Sequence, residues 1–283
     1  MKIAVTGGSG LAGSAVVSHL LEAGYNVVSI DRQRPPHPIA EFRLVDCEDL
    51  GQVYGACHGL DAIVHLAAIP RPIHHTPDQV FRTNVMAAFN IFEAAVNLEV
   101  PRVVYISSMS VLGLPFSYQP IRLAYLPIDE AHPHAPQDAY ALSKAMGEDI
   151  ARAFVRRMAG GLSVISLRFP WIHTPQTFHS VLRPLWDDPA GGASNLWGYI
   201  DTRDVAGACR LALEADISGH EAFYISAPNS FMKTDSLQLA QTYYPDAKIR
   251  TRLSGNQSLF DNSKAVAMLG YEPQFSWEDY EWT

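Results

Sequence analysis

Short apolar runs alternate with segments of helical periodicity from the start of the chain to Arg168. Most of these runs are apolar on both faces, as expected for parallel strands that helices cover on each side. The predicted strands are Lys2–Thr6, Asn26–Asp31, Phe42–Val45, Asp61–Leu66, Arg102–Ser108 and Leu162–Arg168. Helices are predicted near 11–23, 47–57, 78–98 and 137–158. This order predicts an α/β fold with a doubly wound parallel sheet.

The pattern loosens after Arg168, where prolines and glycines interrupt the segment 170–192. Further strands are predicted at Trp197–Ile200 and Glu221–Ser226, and further helices near 202–214, 234–243 and 262–268. We therefore predict a core over residues 1–168. Residues 169–283 are predicted to form mainly a small C-terminal substrate-binding lobe, interleaved with elements that return to the core.

Three glycines at a spacing of three follow the first predicted strand and open the first predicted helix. Gly7, Gly10 and Gly13 allow a tight turn and the close approach of a pyrophosphate, which Leu11 and the helix N-terminus would adjoin. Such a spacing also occurs in ordinary turns, but its position between a strand and a helix favours a dinucleotide site.

Asp31 ends the second predicted strand, where a carboxylate accepts hydrogen bonds from the ribose hydroxyls of NAD and repels a 2′-phosphate. We therefore expect NAD as the cofactor. Arg32 and Arg34 follow directly and could reach a 2′-phosphate, so the sequence does not exclude NADP.

Composition narrows the class of protein further. Hydrophobic residues make up 48% of the 283 residues, enough for a sizeable core, and the formal net charge is −8. That charge disfavours nucleic acid and anionic membranes as partners. The scattered cysteines, Cys47, Cys57 and Cys209, form no metal or disulfide pattern. Since no leader or long apolar stretch is evident, we expect a cytoplasmic protein. We expect no metal, because His132, His134, His173 and His179 show no helical metal spacing.

Tyr140 and Lys144 are predicted to lie one helical turn apart on the same helix face. An ammonium beside a phenol lowers the pKa of the phenol, which can then exchange a proton with a substrate hydroxyl or carbonyl. Such a pair is common on surfaces. Here it begins the helix after a strand that ends in serines, at the edge where α/β proteins bind ligands.

Read together, these motifs resemble the extended short-chain dehydrogenase/reductase family, also described as the NAD-dependent epimerase/dehydratase family. The matching segments are Thr6–Gly13, Asp46-Cys47, His65–Ala68, Asn84, Ser108, Tyr140, Lys144, Arg168–Pro170, Asp201–Ala206, Asp261–Ala265 and Leu269–Tyr271. The resemblance implies a Rossmann fold. It also implies cofactor contacts by Gly7, Gly10, Leu11, Gly13, Asp31, Arg32, Asp46, Cys47, Leu66, Ala67, Ala68, Asn84, Tyr140, Lys144 and Pro170.

The catalytic roles that the resemblance implies fall on three residues. Tyr140 acts as acid and base, Lys144 lowers the pKa of the tyrosine, and Ser108 donates a hydrogen bond to the reacting oxygen. Ser107 and Ser110 compete with Ser108 for the last role.

Three stretches depart from the nucleotide-sugar members of this family. Trp171 stands where those members carry an asparagine that holds the substrate diphosphate. Trp197–Ile200 stands where they tend to carry an arginine that grips phosphate, and Leu253 stands where they carry another arginine, although Arg252 is adjacent. Losing these ligands removes charge-assisted hydrogen bonds, so we expect a smaller sugar-like substrate. The short C-terminal part is similar to that of uronate or aldose dehydrogenases.

Several other residues are weighed against plainer roles. His74, His75 and Arg71 share the loop after the fourth strand, where surface positions without a ligand role are the simpler interpretation. Trp171, Trp186 and Trp197 are assigned to a pocket wall or to the core. The segments Met86–Phe89 and Ile91-Phe92 are predicted as one buried helix face. By resemblance, the corresponding helices form a homodimer interface.

The leading hypothesis is an NAD-dependent oxidoreductase that acts on a sugar-like or other small hydroxy or carbonyl compound. A sugar epimerase with tightly held cofactor is the alternative within the same family, since both reactions use the same residues. A third hypothesis is a dinucleotide sensor that has lost its activity, which intact Ser108, Tyr140 and Lys144 disfavour.

Overall fold

The computed structural model describes residues 1–280, and its centre is a seven-stranded parallel sheet of order β10-β7-β5-β4-β1-β2-β3. The strands are β1 (Lys2–Thr6), β2 (Asn26–Asp31), β3 (Glu41–Leu44), β4 (Ala62–His65), β5 (Arg102–Ile106), β6 (Tyr125-Leu126), β7 (Ser163–Arg168), β8 (Trp171–His173), β9 (Tyr199–Asp201), β10 (Gly219–Tyr224) and β11 (Lys248-Ile249). Every neighbouring pair in this sheet is parallel. The predicted doubly wound fold is confirmed.

Helices cover both faces of the sheet, and each face has its own apolar cluster. They are α1 (Leu11–Glu22), α2 (Leu50–Cys57), α3 (Pro77–Asn97), α4 (Ala139–Arg157), α5 (Pro175–Thr177), α6 (Ala190–Ala193), α7 (Thr202–Glu214), α8 (Ser236–Tyr243) and α9 (Ser263–Leu269). Helices α1 and α7 pack on one face, and α2, α3 and α4 pack on the other. This layering explains why the central strands are apolar on both sides.

A third apolar cluster lies beyond the carboxyl edge of the sheet and is rich in aromatic side chains. Phe178, Tyr199, Phe231 and Trp277 are among its buried members. Two small parallel ribbons, β6 with β11 and β8 with β9, border this cluster. Strand β10, in contrast, returns to the main sheet beside β7, so the segment after Arg168 contributes to both regions.

Several predicted boundaries differ from the structure by a few residues, and three of the differences have a clear local reason. Helix α2 begins at Leu50 because the Asp49 carboxylate caps it, accepting from the Gln52 N–H at 3.0 Å. Strand β5 ends at Ile106 because Ser108 caps a tight turn. Strand β9 begins at Tyr199, since Trp197 has a left-handed backbone with φ of +50°.

The predicted buried face of α3 is only partly correct. Ala87, Ala88, Ile91 and Phe92 are buried, but Met86 and Phe89 are 39% and 38% exposed. On the helical wheel, Met86 and Phe89 lie at the edges of the buried apolar stripe, where their side chains are partly exposed to solvent. Those two residues were wrongly assigned to the core.

Candidate active site

A cleft of about 830 Å³ opens at the carboxyl edge of the sheet. It spans the point between β1 and β4 where the strand order reverses, which is where open α/β sheets bind ligands. The predicted cofactor and catalytic residues line this cleft, with the exception of Asn84. The structure therefore brings together side chains from the first strand to Pro170.

The glycine loop between β1 and α1 is shaped so that side chains would not fit. Gly7 has φ of +72°, and a Cβ there would lie 2.8 Å from the Ala67 nitrogen. A Cβ on Gly13 would lie 2.0 Å from the Gly7 carbonyl oxygen. Gly10 caps α1, whose first N–H groups point toward the loop. The loop thus offers a close backbone surface and a helix N-terminus, the two features that a pyrophosphate requires.

Asp31 lies beside this loop and ties it to the end of β2. Its carboxylate accepts a hydrogen bond from the Ser9 N–H at 3.0 Å and another from the Gln33 N–H at 3.1 Å. A carboxylate oxygen accepts more than one hydrogen bond, so ribose hydroxyls remain compatible partners. Arg32 follows and also lines the cleft.

Asp46 and Cys47 follow β3 at the same end of the cleft. The Asp46 carboxylate accepts from the Glu48 N–H at 2.9 Å, which fixes the turn before α2. Burial raises the pKa of the Cys47 thiol to about 12, so this thiol stays neutral. A contact between Asp46 or Cys47 and the cofactor stays a prediction.

Asn84 lies on α3 beneath the cleft and holds the loop that follows β4. Its Oδ1 accepts from the Ile69 N–H at 2.7 Å, and its Nδ2 donates to the Ile69 carbonyl and the Ser143 hydroxyl, both at 3.1 Å. The buried amide thereby links the start of this loop to α4. A contact between Asn84 and the cofactor stays a prediction.

Tyr140 lies in the first turn of α4, which the Asp138 carboxylate caps by accepting from the Tyr140 N–H at 2.8 Å. Four residues on, the Lys144 ammonium donates to the Ile106 carbonyl at 2.7 Å and lies 5.8 Å from the centre of the Tyr140 ring. Burial lowers the pKa of Lys144 to about 8. The helical spacing has therefore placed both side chains at the end of β5, as predicted.

The pKa of Tyr140 runs against the sequence expectation. Burial raises it to about 12, and a hydrogen bond with Ser108 opposes that rise only in part. We expected the Lys144 ammonium to lower this pKa. Desolvation outweighs that effect, because the ammonium is directed at a backbone carbonyl rather than at the phenol oxygen.

The three neighbouring serines differ in their hydrogen-bond partners. The Ser107 hydroxyl donates to Glu148 Oε1 at 2.6 Å. The Ser108 hydroxyl caps the following turn, accepting from the Ser110 N–H at 3.1 Å, and a hydrogen bond from it opposes the rise in the pKa of Tyr140. It also donates to the Ser110 hydroxyl at 3.1 Å, so the assignment of the catalytic role to Ser108 stays a prediction.

Sequence reasoning missed a buried ion pair beneath these residues. Glu148 lies one turn beyond Lys144 on α4, and Arg168 ends β7. Arg168 Nε and Nη2 donate to the two Glu148 carboxylate oxygens at 2.9 and 2.7 Å, and both side chains are almost fully buried. The pair joins the catalytic helix to the sheet. The glutamate four residues after Lys144 was the available signal.

His65 ends β4 beneath the cleft, and its Nδ1 lies 2.7 Å from the Thr6 hydroxyl. Burial, with a smaller effect from the Lys144 charge, lowers the pKa of His65 to about 3, so the ring is neutral in the folded chain. The unfolded chain binds a proton below its ordinary value of 6.5, and the folded chain does not. The contribution of His65 to the free energy of unfolding is therefore complete above pH 6.5 and is lost progressively as the pH falls toward 3.

We expect His65→Asn to flatten the fall in stability between pH 6.5 and pH 5. The wild-type chain should lose up to about 1.4 kcal/mol of its free energy of unfolding per pH unit through this one group. The free energy of unfolding, measured by urea titration at both pH values, gives the slope for each variant. The exposed His58 provides the control, because His58→Asn should leave the slope unchanged. An unchanged slope in His65→Asn would contradict the assignment.

The other end of the cleft is formed by the loop after β4 and by the segment after β7. Arg71, Trp171, His173 and Asn195 line it, together with apolar residues. Burial lowers the pKa of His173 to about 4, so this ring is neutral. Of the side chains weighed earlier, His74, His75, Trp186 and Trp197 are not part of the lining within residues 1–280.

Within residues 1–280, no cluster of three or more His, Cys, Asp or Glu side chains is placed to hold a metal ion. None of the helices in that range combines the length and the apolar character needed to cross a membrane.

The fold and the glycine loop together define an α/β protein with a dinucleotide-binding cleft. Residues 3–225 match the NAD dependent epimerase/dehydratase family, and the chain belongs to this family. The family uses NAD, and the cleft fits that cofactor at the loop of Gly7 and Gly13, where a Cβ would collide with backbone atoms.

Comparison with curated proteins gives two relatives of different activity. The chain is 28% identical to the UDP-glucose 4-epimerase of Lacticaseibacillus casei, over 97% of this chain and 92% of that protein. It is 27% identical to the uronate dehydrogenase of Pseudomonas putida, over 72% of this chain and 78% of that protein. A solved structure of MoeE5 in complex with UDP-glucuronic acid and NAD has a similar fold, with a TM-score of 0.74 at 24% identity. Its alignment covers 99% of this chain and 96% of that one.

Proposed function

We propose that the chain is an NAD-dependent dehydrogenase that oxidises a hydroxyl group of a small sugar-like compound, or reduces the matching carbonyl. The observation that supports this proposal most directly is the grouping of Ser108, Tyr140 and Lys144 at the end of β5. This group faces the same cleft as the glycine loop. Uronate dehydrogenase activity in one relative agrees with this proposal.

The proposed roles follow from the geometry of these residues. NAD supplies the hydride acceptor when bound. Oxidation of the substrate hydroxyl releases its proton to the Tyr140 phenolate, while Ser108 donates a hydrogen bond to the substrate oxygen. In the reverse direction the Tyr140 phenol donates its proton to the carbonyl oxygen. The Lys144 ammonium is fixed by the Ile106 carbonyl with its charge 5.8 Å from the centre of the Tyr140 ring, and we propose that this charge offsets part of the desolvation that disfavours the phenolate.

The lining of the cleft argues against a nucleotide-sugar substrate. Trp171 occupies the position of the expected diphosphate ligand, and its ring stacks on Phe231 with the two ring centres 6.3 Å apart. Arg252, the arginine next to Leu253, is exposed and does not line the cleft. Without an anchored diphosphate, a sugar has little to hold it while its ring turns over between two faces, which an epimerase requires.

A sugar epimerase is the second candidate, because the first curated relative described above has that activity. The two functions differ in how the cofactor is held. An epimerase returns its hydride to the substrate and retains NAD through each cycle, whereas a dehydrogenase exchanges it. We expect protein purified without added cofactor to lose NAD on dialysis and to form NADH from uronates or aldoses. Retained NAD together with inversion of a sugar, without net NADH formation, would favour the epimerase.

We propose NAD over NADP because of the Asp31 carboxylate. Asp31→Asn keeps the shape of the side chain and removes its charge, so we expect about tenfold weaker NAD binding and a smaller preference over NADP. Calorimetric titration with both cofactors measures this. Asp246→Asn, at an exposed position outside the cleft, is the control and should leave both affinities unchanged. Equal affinity of wild type for NAD and NADP would overturn the role given to Asp31.

We propose that the chain acts as a homodimer in the cytoplasm. The exposed apolar side chains Met86 and Phe89 of α3 and Leu142 of α4 support a protein contact on that side of the sheet. The three cysteines are free and buried, which suits a reducing compartment.

A further inference from the structure

The charges that line the cleft are divided between its two ends. Within the part of the chain described, they are Asp31, Arg32, Asp46, Glu48, Arg71 and Lys144. The first four follow β2 and β3, at the end assigned to the adenosine. Lys144 is directed at the Ile106 carbonyl. Arg71 is therefore the one cation that the substrate end offers to a ligand, and no carboxylate of residues 1–280 lines that end.

Arg71 lies in the loop whose base contacts Tyr140, and both residues line the cleft. Ile69 packs against Tyr140 in a small apolar cluster, and the Asn84 amide fixes both backbone polar groups of Ile69. Since two residues of extended chain span about 7 Å at most, Arg71 begins within that distance of this anchor. A guanidinium on a loop held at its base can thus reach a group only a few bonds away from the reacting oxygen.

Asn195 supplies a second polar group on the opposite wall. Its side chain is buried and lines the cleft, and its Oδ1 has no hydrogen-bond partner among residues 1–280. Its Nδ2 donates to the Gly198 carbonyl, which fixes the amide in one orientation. Leu196 and Trp197 follow with φ of +52° and +50°, a strained backbone for bulky residues. A buried acceptor without a partner is unfavourable unless a ligand donates to it.

We propose that the substrate is a small hydroxylated carboxylic acid, whose carboxylate pairs with Arg71 and one of whose hydroxyls donates to Asn195 Oδ1. This proposal rests on the dehydrogenase function and narrows its substrate class. A single guanidinium matches one carboxylate, with which it forms two parallel hydrogen bonds. A nucleoside diphosphate would bring two charges to an end of the cleft that offers one free cation.

The test compares each sugar acid with its neutral counterpart. NADH formation is followed with glucuronate against glucose and with galacturonate against galactose, for wild type, Arg71→Met and Arg71→Lys. We expect wild type to prefer the acids. Arg71→Met should lower kcat/KM for the acids by about 100-fold, mainly through KM, and leave the neutral sugars within about twofold. For Arg71→Lys, kcat/KM for the acids should lie between the values of wild type and Arg71→Met. Lysine keeps the positive charge but cannot form the two parallel hydrogen bonds of a guanidinium.

A matched arginine controls for loss of charge alone. Arg156 is exposed in the last turn of α4, at the opposite end of that helix from Tyr140, so Arg156→Met should change neither substrate class. Asn195→Ser should raise KM for acids and neutral sugars alike by about tenfold, because the hydroxyl is common to both. If Asn195→Ser does not fold, deoxy analogues tested on wild type replace it, and one missing hydroxyl should give the same loss.

Three outcomes would overturn the inference. The first is a wild-type preference for neutral sugars, which leaves the dehydrogenase function standing. The second is an equal loss for acids and neutral sugars in Arg71→Met. The third applies if no NADH forms with any sugar. Glucuronate is then titrated calorimetrically into protein loaded with NADH. The site is excluded if wild type does not bind glucuronate, or if Arg71→Met binds it as tightly as wild type does. Binding that depends on Arg71, without turnover, would support the site and reject the dehydrogenase.

Discussion

Tyr140→Phe is expected to lower kcat by about 1,000-fold while NAD affinity stays within about twofold of wild type. The variant keeps the ring that packs against Ile69 and removes only the hydroxyl that we propose exchanges a proton with the substrate. Without the Tyr140 hydroxyl, Ser108 can still bind the substrate oxygen, but no group beside it accepts the proton that the substrate releases. Initial rates of NADH formation and calorimetric titration with NAD measure the two quantities separately.

Tyr118→Phe is the matched control, because Tyr118 is 74% exposed and should tolerate the change without loss of rate. A Tyr140→Phe variant that retains more than a tenth of wild-type kcat would reject the acid–base role. The same pair of variants tests the dinucleotide-sensor hypothesis, since a sensor would bind NAD equally in both and show no turnover in wild type.

Arg168→Met should lower the free energy of unfolding by about 3–5 kcal/mol. Methionine fills much of the same volume but leaves the Glu148 carboxylate buried, with Ser107 as its remaining hydrogen-bond donor and the half-exposed Arg152, 3.9 Å from its Oε2, as its remaining cation. A buried charge that loses its hydrogen-bonded partner is more costly than the loss of a well-formed ion pair as such. Urea denaturation at pH 7 measures the change. The double variant Arg168→Met with Glu148→Leu should recover much of the loss, because it leaves no charge behind.

Arg157→Met is the control for a surface ion pair. Arg157 pairs with Glu93 at 2.7 Å, but its side chain is 48% exposed, so we expect a change below about 1 kcal/mol. If Arg168→Met destabilises the chain no more than Arg157→Met does, the buried pair does not fasten α4 to the sheet as described.

Periodicity predicted the sheet and its main helices because these elements are long enough to carry a pattern. The strands β1, β2, β4 and β5 were predicted because each is a distinct apolar run. The small ribbons are different, since β6 and β11 contain two residues each and pair Tyr125 with Lys248 across a long stretch of sequence. Such pairing depends on tertiary packing, which local sequence does not encode.

The sequence also predicted the part of the site that depends on fixed spacing. The glycine loop requires a set interval after β1, and Tyr140 and Lys144 require one helical turn. Asn195 gave no such signal, because its position depends on a turn in which Leu196 and Trp197 adopt backbone angles that their side chains disfavour. The pairing of Glu148 with Arg168 joins two elements, so the spacing of Glu148 from Lys144 was a signal for one partner but not for the pair.

The all-parallel order of the central sheet bears on how the chain folds. Each neighbouring pair of strands is separated in sequence by a crossover, and β7 meets β10 through Ser163 and Gly219. Contacts of this kind require the closure of a long loop, whose entropic cost is met before the contacts contribute to stability. Folding is therefore slow relative to that of proteins rich in local contacts. During synthesis the glycine loop emerges well before α4. Residues that bind the pyrophosphate thus form early, while a complete catalytic cleft must wait for the later half of the chain.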